Sequence, residues 1–348
     1  LSEALVNLGP WREIIMGLLI VLVVAFYPGG LWAAIQELRE TADTVRTGMM
    51  SAWRRKTGKG RREARMSGAT ETYLATRHGS IAVSDSATRG PVLLLIHGNS
   101  ACKEAFFHQF RTLADRFRLI AFDLPGHGVS SNADPETSYN IVGYAEVAEE
   151  VLRACGAREA FVFGWSLGGY VALELAAREQ VRILGLAISG TTPLTVVPDD
   201  FANGYNADSH LVLGGKQYFT AEEARAYAGS ATAPKSRESA FMHHNLPRTD
   251  GRARVYMMTK LQTVNWPRQM NRLWANAFSF AIINGANDPF LNHDYIHRLS
   301  RAEGWPHRLL EIDDGKHAPF FKPEIFNAML LDAFSAGTPP RQEEVRPA

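Results

Sequence analysis

The chain has little cysteine, almost no net charge and few motifs that bind a metal or cofactor, and each shortage removes a class of protein from consideration. Its two cysteines, Cys102 and Cys155, stand 53 positions apart in 348 residues. They fit no metal spacing and are too few for a disulfide framework, so they read as reduced thiols in a cytosolic setting. Thirty-seven basic against thirty-six acidic residues leave a formal charge of +1, which gives a nucleic acid no field to follow over the molecule as a whole. There is no H-E-x-x-H, no close His/Asp cluster of the dinuclear zinc kind and no glycine-rich phosphate loop, so no metal and no cofactor are expected. No internal repeat is present. With 46% hydrophobic and 21% charged residues, the remainder is an ordinary globular chain able to bury a sizeable core.

One segment departs from that average. Residues 14–36 carry no charge, and 14–27 (IIMGLLIVLVVAFY) are almost wholly apolar, about the length a bilayer requires. Arg54, Arg55, Lys56, Lys59, Arg61, Arg62 and Arg65 follow. By the positive-inside rule they predict a cytoplasmic C-terminal side, and they suit anionic headgroups. Residues 1–65 are thus expected to be a transmembrane or extension segment with a basic linker, since Met66 also opens a plausible start for a compact enzyme. The catalytic region is expected over 66–336, either cytoplasmic or anchored at the inner membrane and facing the cytoplasm. The tail 337–348, rich in Pro and charge, is expected to be disordered.

From about Thr70 onward, short β-branched runs alternate with helical patterns, as in a mostly parallel sheet with helices on both faces. Buried strands are predicted at 91–96 (PVLLLI), 119–122, 160–163, 183–188, 278–283 and 308–312. Helices are predicted at 141–154, 167–178, 293–301 and 323–336. The stretch 191–275 lacks a buried strand and is too long for a loop, which predicts a helical cap inserted before the penultimate strand.

Chemistry enters at Gly164-Trp165-Ser166-Leu167-Gly168-Gly169. This is G-x-S-x-G between a strand and a helix, a sharp turn that exposes a serine hydroxyl at a helix N-terminus. A serine needs a base within hydrogen-bond reach, itself held by an acid, in the chain order Ser, acid, His. Asp288 follows the strand at 278–283 in the turn NGANDP. His317 follows the last strand in the loop DDGKHAP. Of the eleven histidines, only His317 occupies the predicted place. His97 and His127 fall in glycine turns and read as loop supports, while His293, His297 and His307 have no carboxylate-bearing turn before them. Asp313 and Asp314 are too near His317 in sequence to orient it, and Asp123 ends an earlier strand. For the oxyanion, the backbone N–H of Leu167 and that of Asn99 in the loop HGNS are the candidate donors, with Ser100 as runner-up.

The motifs LLLIHGNS, FDLPGHG, FGWSLGG, TDGRAR (249–254), NGANDPF and HAPF, in this order, resemble the α/β-hydrolase fold. Within it they are similar to the AidH-type N-acyl-homoserine lactonases, over about residues 70–335. That resemblance implies opening of a homoserine lactone ring without a metal, with Ser166 as nucleophile, His317 as base and Asn99 in the oxyanion loop. It also implies that Tyr227 of the cap contacts substrate, a residue that on pattern alone reads equally as helix packing. Family members carry glutamate where this chain has Asp288, and residues 1–65 have no counterpart in them. Trp165 and Ser100 are further candidate substrate contacts, and Trp165, Phe201, Tyr205 and Phe219 are candidate walls of an apolar tunnel for the acyl chain.

The predicted partner is therefore a small ester or lactone, with membrane attachment through 14–36 and no nucleic acid. Two other readings compete with lactonase. A general short-chain carboxylesterase would share every catalytic residue and differ only in the cap. A membrane-tethered, non-catalytic ligand-binding protein would reuse the scaffold, usually with a damaged triad. Haloalkane dehalogenases and epoxide hydrolases place aspartate at the nucleophile, where this chain has serine.

Overall fold

The computed structural model describes residues 68–335 except 195–198, 208, 234, 276, 304 and 306. The apolar segment at 14–36, the basic linker and the tail at 337–348 lie outside the described residues. Among the described residues no helix is long and apolar enough to cross a membrane.

Eight strands form one sheet: β1 (Thr70–Thr76), β2 (Gly79–Asp85), β3 (Val92–Ile96), β4 (Arg118–Phe122), β5 (Glu159–Trp165), β6 (Arg182–Ser189), β7 (Ser279–Gly285) and β8 (Arg308–Ile312). Their order across the sheet is β1-β2-β4-β3-β5-β6-β7-β8. Pairing is parallel from β4 to β8 and antiparallel for β1 with β2 and β2 with β4. This is the α/β-hydrolase fold.

The central strands are continuous apolar runs because helices cover both faces. In β3, Leu93, Leu94, Leu95 and Ile96 are all fully buried. The strand limits read from sequence fall within one or two residues of the observed ones. The β1–β2 hairpin was not predicted. Its first strand, TETYLAT, is largely exposed at the sheet edge, so it carries no buried run to betray it, and the polar positions are those that discourage edge pairing.

Flanking helices are α1 (Phe107–Leu113), α2 (Ile141–Ala154) and α3 (Leu167–Arg178). Asn140 caps α2 by accepting from the Gly143 N–H at 2.9 Å, satisfying one of the donors a helix start leaves open. Between β6 and β7 the chain leaves the sheet for a helical insertion: α4 (Ala221–Ala231), α5 (Arg237–Asn245), α6 (Gly251–Thr259) and α7 (Trp266–Trp274). It then returns through α8 (His293–Ser300) and α9 (Pro323–Ser335). Cys102 and Cys155 are free thiols.

Strand order reverses around β3: β4 lies to one side of it and β5 to the other. Loops leaving the carboxyl ends of β3 and β5 therefore diverge and open a crevice, the place where sheets of this type bind ligands. HGNS follows β3 and the Ser166 turn follows β5.

Candidate active site

Ser166 stands between β5 and α3 with φ 54° and ψ −119°, outside the regions open to most L-residues. The turn is possible only with glycine around it. A Cβ on Gly168 would lie 2.1 Å from the Ile96 carbonyl oxygen, and one on Gly164 2.2 Å from the Gly168 carbonyl oxygen. Its backbone is held from both sides: Ser166 N–H donates to Ser189 O at 2.7 Å, and Thr191 Oγ1 donates to Ser166 O at 2.8 Å. The residue is thus fixed at the start of α3, where the helix dipole favours developing negative charge.

His317 and Asp288, 29 residues apart, meet in the crevice. His317 Nδ1 donates to Asp288 Oδ2 at 2.8 Å, and both side chains are buried. The other Asp288 oxygen accepts from the Phe290 N–H at 2.9 Å. With the proton on Nδ1, the second imidazole nitrogen, Nε2, is left as an acceptor. Among the hydrogen bonds of the described residues, none joins Ser166 Oγ to His317. Such contacts commonly tighten only when substrate binds.

Three features bring the imidazole to the serine's rim of the sheet. Trp165, the residue before the nucleophile, donates its indole N–H to the His317 carbonyl at 2.7 Å. Gly190, the residue after the Ser189 that holds Ser166, has φ 63°, and a Cβ there would sit 2.6 Å from His317 Cε1. Phe290 packs edge-on against the ring with centroids 4.6 Å apart.

The loop after β3 is rigid because its own polar groups are consumed internally. His97 Nε2 accepts from the Leu124 N–H at 3.0 Å, so its proton is on Nδ1, which donates to Gly98 O at 2.8 Å. Burial, with His127 alongside, holds His97 down at about 3, and burial holds His127 at about 4. Both imidazoles are neutral loop supports, as the sequence suggested. Ser100 has φ 60°. Backbone N–H groups of Asn99 and Leu167 have no acceptor among the described residues, which leaves both able to meet an oxyanion. Beneath them, Lys103 is buried with Nζ 2.9 Å from Glu104 and 3.3 Å from Glu71. Burial alone would lower its ammonium, but Asp123, Glu104 and Glu71 hold it above the usual lysine range.

The insertion reaches both glycine loops through TDGRAR. Asp250 N–H donates to Gly126 O at 2.7 Å, and Tyr139 Oη donates to the Asp250 carboxylate at 2.8 Å. Arg254 donates to Lys216 O at 2.6 Å, to Gln217 O at 2.7 Å and to Ser100 Oγ at 3.3 Å. Asn99 Nδ2 donates to Gly214 O of the insertion at 2.8 Å.

Two expected substrate contacts take other roles. Trp165 is 1% exposed and its only N–H is spent on His317 O, so it props the site from behind instead of lining it. Ser100 is fully buried, with its hydroxyl donating to Asn99 Oδ1 at 3.3 Å while accepting from Arg254. It braces the loop. Tyr227 is buried in an aromatic column, stacked on Phe219 with centroids 5.5 Å apart and on Phe290 at 6.1 Å. Burial pushes its phenol up to about 12, and its hydroxyl lies beside Gly214, near Asn99. Tyr205 hydrogen-bonds Tyr170 at 2.7 Å between their hydroxyls, and the Phe201 side chain lies outside the described residues. A cavity of about 760 Å³ borders the same loops through Pro289 and Lys316, but Ser166 is not among its lining residues.

Comparisons with known proteins establish the family to which the chain belongs. A family described as alpha/beta hydrolase fold matches residues 91–323. The chain is similar to a pimeloyl-acyl-carrier-protein methyl ester esterase of Nitrosospira multiformis, 37% identical over 120 residues, 34% of this chain and 46% of that protein. It is also similar to a magnesium-chelatase 30 kDa subunit of Rhodobacter capsulatus, 40% identical over 101 residues, 28% of this chain and 34% of that one. In both cases the match spans less than half of the curated relative's length. Among solved structures it is similar to the N-acyl homoserine lactonase AidH complexed with N-butanoyl homoserine, with 34% identity and a TM-score of 0.69 over 76% of this chain and 95% of that one.

Proposed function

Since this chain belongs to the α/β-hydrolase fold family, we propose that it is a serine hydrolase of carboxylic esters, and within that class an N-acyl-homoserine lactonase. The observation that carries the proposal is the hydrogen bond from His317 Nδ1 to Asp288 Oδ2, which leaves Nε2 as a base on the rim that bears the strained Ser166. The finer reading, lactone before linear ester, rests on the insertion. The likeness to AidH covers 95% of that chain, and Arg254 of TDGRAR ties the insertion to the loop that bears Asn99.

In the proposed reaction Ser166 Oγ attacks the lactone carbonyl carbon and its proton passes to His317 Nε2. Asp288 steadies the imidazolium. Negative charge on the carbonyl oxygen is met by the Asn99 and Leu167 N–H groups, where loss of either donor costs about two to three orders of magnitude in turnover. The ring C–O bond then breaks, and the leaving oxygen takes the proton from His317 while staying tethered to the acyl-enzyme. Water attacks next, its proton going to His317, and Ser166 is released with the open N-acyl-homoserine. Tyr227, with a neutral phenol beside Asn99, is proposed to orient the ring or its amide.

A general short-chain carboxylesterase remains the second reading, favoured by the esterase among the curated relatives. Assaying the purified protein on N-acyl-homoserine lactones and on p-nitrophenyl esters separates the two. Lactonase predicts higher kcat/KM on the lactones, and the reverse ranking assigns the esterase. Ser166→Ala, folded as judged by circular dichroism, should lose both activities, and retained turnover would refute the nucleophile.

A further inference from the structure

Helix α8 carries His293 and His297 one turn apart, so both rings leave the same face. Opposite that face, strand β8 presents Glu311. Its Oε1 lies 3.3 Å from His293 Nδ1 and its Oε2 2.9 Å from His297 Nε2. The three ligand atoms fall within 4.8 Å of one another, and all three side chains are partly exposed.

The protons decide how this cluster reads. His293 Nε2 lies 3.3 Å from the Asp288 carbonyl oxygen, and a carbonyl can only accept, so Nε2 carries the hydrogen. A neutral His293 then turns the lone pair of Nδ1 toward a carboxylate oxygen. Two lone pairs facing each other need a cation between them, either a second proton on the ring or a metal ion. His297 Nε2 approaches the other oxygen of the same carboxylate at 2.9 Å; as a neutral ring it donates there, or with its hydrogen on Nδ1 it offers a second lone pair to the same ion. The 3.3 Å between His293 Nδ1 and Glu311 Oε1 is also the spacing of two ligands about 2.0–2.1 Å from a tetrahedral ion, while the 2.9 Å at His297 would open slightly on binding. Finally, a ligating histidine commonly donates its other N–H to a backbone carbonyl, which fixes its tautomer; Asp288 O supplies that partner.

The other convergence of this kind among the described residues, Cys102 with Glu104 and Asp123, is already filled: Lys103 Nζ sits 2.9 Å from Glu104 and 3.8 Å from Asp123. Among the described residues no ammonium pairs with Glu311 in the same way.

We propose that His293, His297 and Glu311 form a binding site for one divalent transition-metal ion of the zinc class, with a fourth position open to water. Two imidazoles and a carboxylate suit zinc, cobalt or nickel better than calcium or magnesium, which prefer oxygen. Its role is structural. Through His293 Nε2–H and Asp288 O it braces the turn that carries the carboxylate bonded to His317, and no step of the hydrolysis passes through it.

The test uses the untagged, full-length chain stripped with EDTA and titrated with Zn²⁺ by calorimetry and with Co²⁺ by visible absorption. One equivalent should bind, with the absorption of four-coordinate cobalt, and saturating Zn²⁺ should raise the unfolding temperature. His297→Ala and Glu311→Gln, both at partly exposed positions and checked by circular dichroism, should each weaken binding at least about 100-fold and abolish the thermal shift. His307→Ala, outside the cluster, should leave binding unchanged. Absence of saturable uptake by the unaltered protein would overturn the site and leave a proton as the bridging cation. Binding of undiminished affinity by the His297→Ala and Glu311→Gln proteins would overturn it equally.

Discussion

Arg254 of the helical insertion donates to Ser100 Oγ, 154 residues away, in the loop that follows β3. The same guanidinium holds the carbonyls of Lys216 and Gln217 and stacks over Phe219 with its carbon 4.6 Å from the ring centroid. Lysine cannot reproduce that fork. Arg254→Lys should therefore lower kcat by between about 10- and 100-fold, through displacement of the Asn99 N–H, while KM changes less. Steady-state kinetics on the preferred substrate check this, and an unchanged kcat would uncouple the insertion from the oxyanion loop.

Replacing the carboxylate that orients the base tests the His317–Asp288 pair directly. Asp288→Asn preserves shape but turns an amide toward Nδ1–H, favouring the wrong tautomer, and should reduce kcat by about four orders of magnitude. Asp288→Glu, restoring the acid with one more methylene, should recover a large part of it. Equal activity in the Asn and Asp proteins would remove Asp288 from the catalytic set.

Gly190 gives a subtler handle on the same imidazole. Its φ of 63° and the 2.6 Å approach of a built Cβ to His317 Cε1 mean that Gly190→Ala must push the ring. A displacement near 1 Å should cost about 100-fold in turnover. The protein should retain its far-ultraviolet circular dichroism, so the loss reads as misplacement of the base. Full activity in a folded Gly190→Ala protein would contradict the geometry.

Stability should fall as the medium is acidified below about pH 6.5. His97 stays neutral in the folded chain down to about 3, and His127 to about 4. The unfolded chain protonates both near 6.5, so in that window it binds more protons and stability rises with pH. Each histidine contributes a slope of about 1.4 kcal/mol for each pH unit between its folded and unfolded values. Urea unfolding at several pH values should give a shallower slope for His97→Gln than for the unaltered chain. Identical slopes would mean that His97 titrates alike in both states.

Much of this architecture was legible because it is written in local pattern. Strands such as LLLI at 93–96 are continuous apolar runs, and α2 and α3 span the residues that helical periodicity marks. The Ser166 elbow is a local motif as well, and Asp288 and His317 each sit in a turn after a strand. What escaped depends on partners distant in sequence. The β1–β2 hairpin escaped for a different reason: β1 is an exposed edge strand and β2 buries a run of only four residues, Ile81 to Ser84. The partners that hold Trp165 and Ser100, His317 O and Arg254, lie over 150 residues away, so local pattern could not show how they are held. His293 and His297 did display helical i, i+4 spacing, but Glu311 comes from the next strand, and nothing in the sequence joins it to them.

The anchorage of α6 at its first turn has a consequence for traffic. Asp250 is bound through its amide to Gly126 and through its carboxylate to Tyr139, so this corner of the insertion cannot lift away without breaking both. At this corner the insertion is therefore fastened to the loop that follows β4. Arg254, on the same helix, holds Lys216 O and Gln217 O, and Gly214 O takes the Asn99 amide, so the neighbouring 214–217 segment is pinned too, and a change in which molecules reach Ser166 should come from exchanged side chains and not from this part of the insertion swinging.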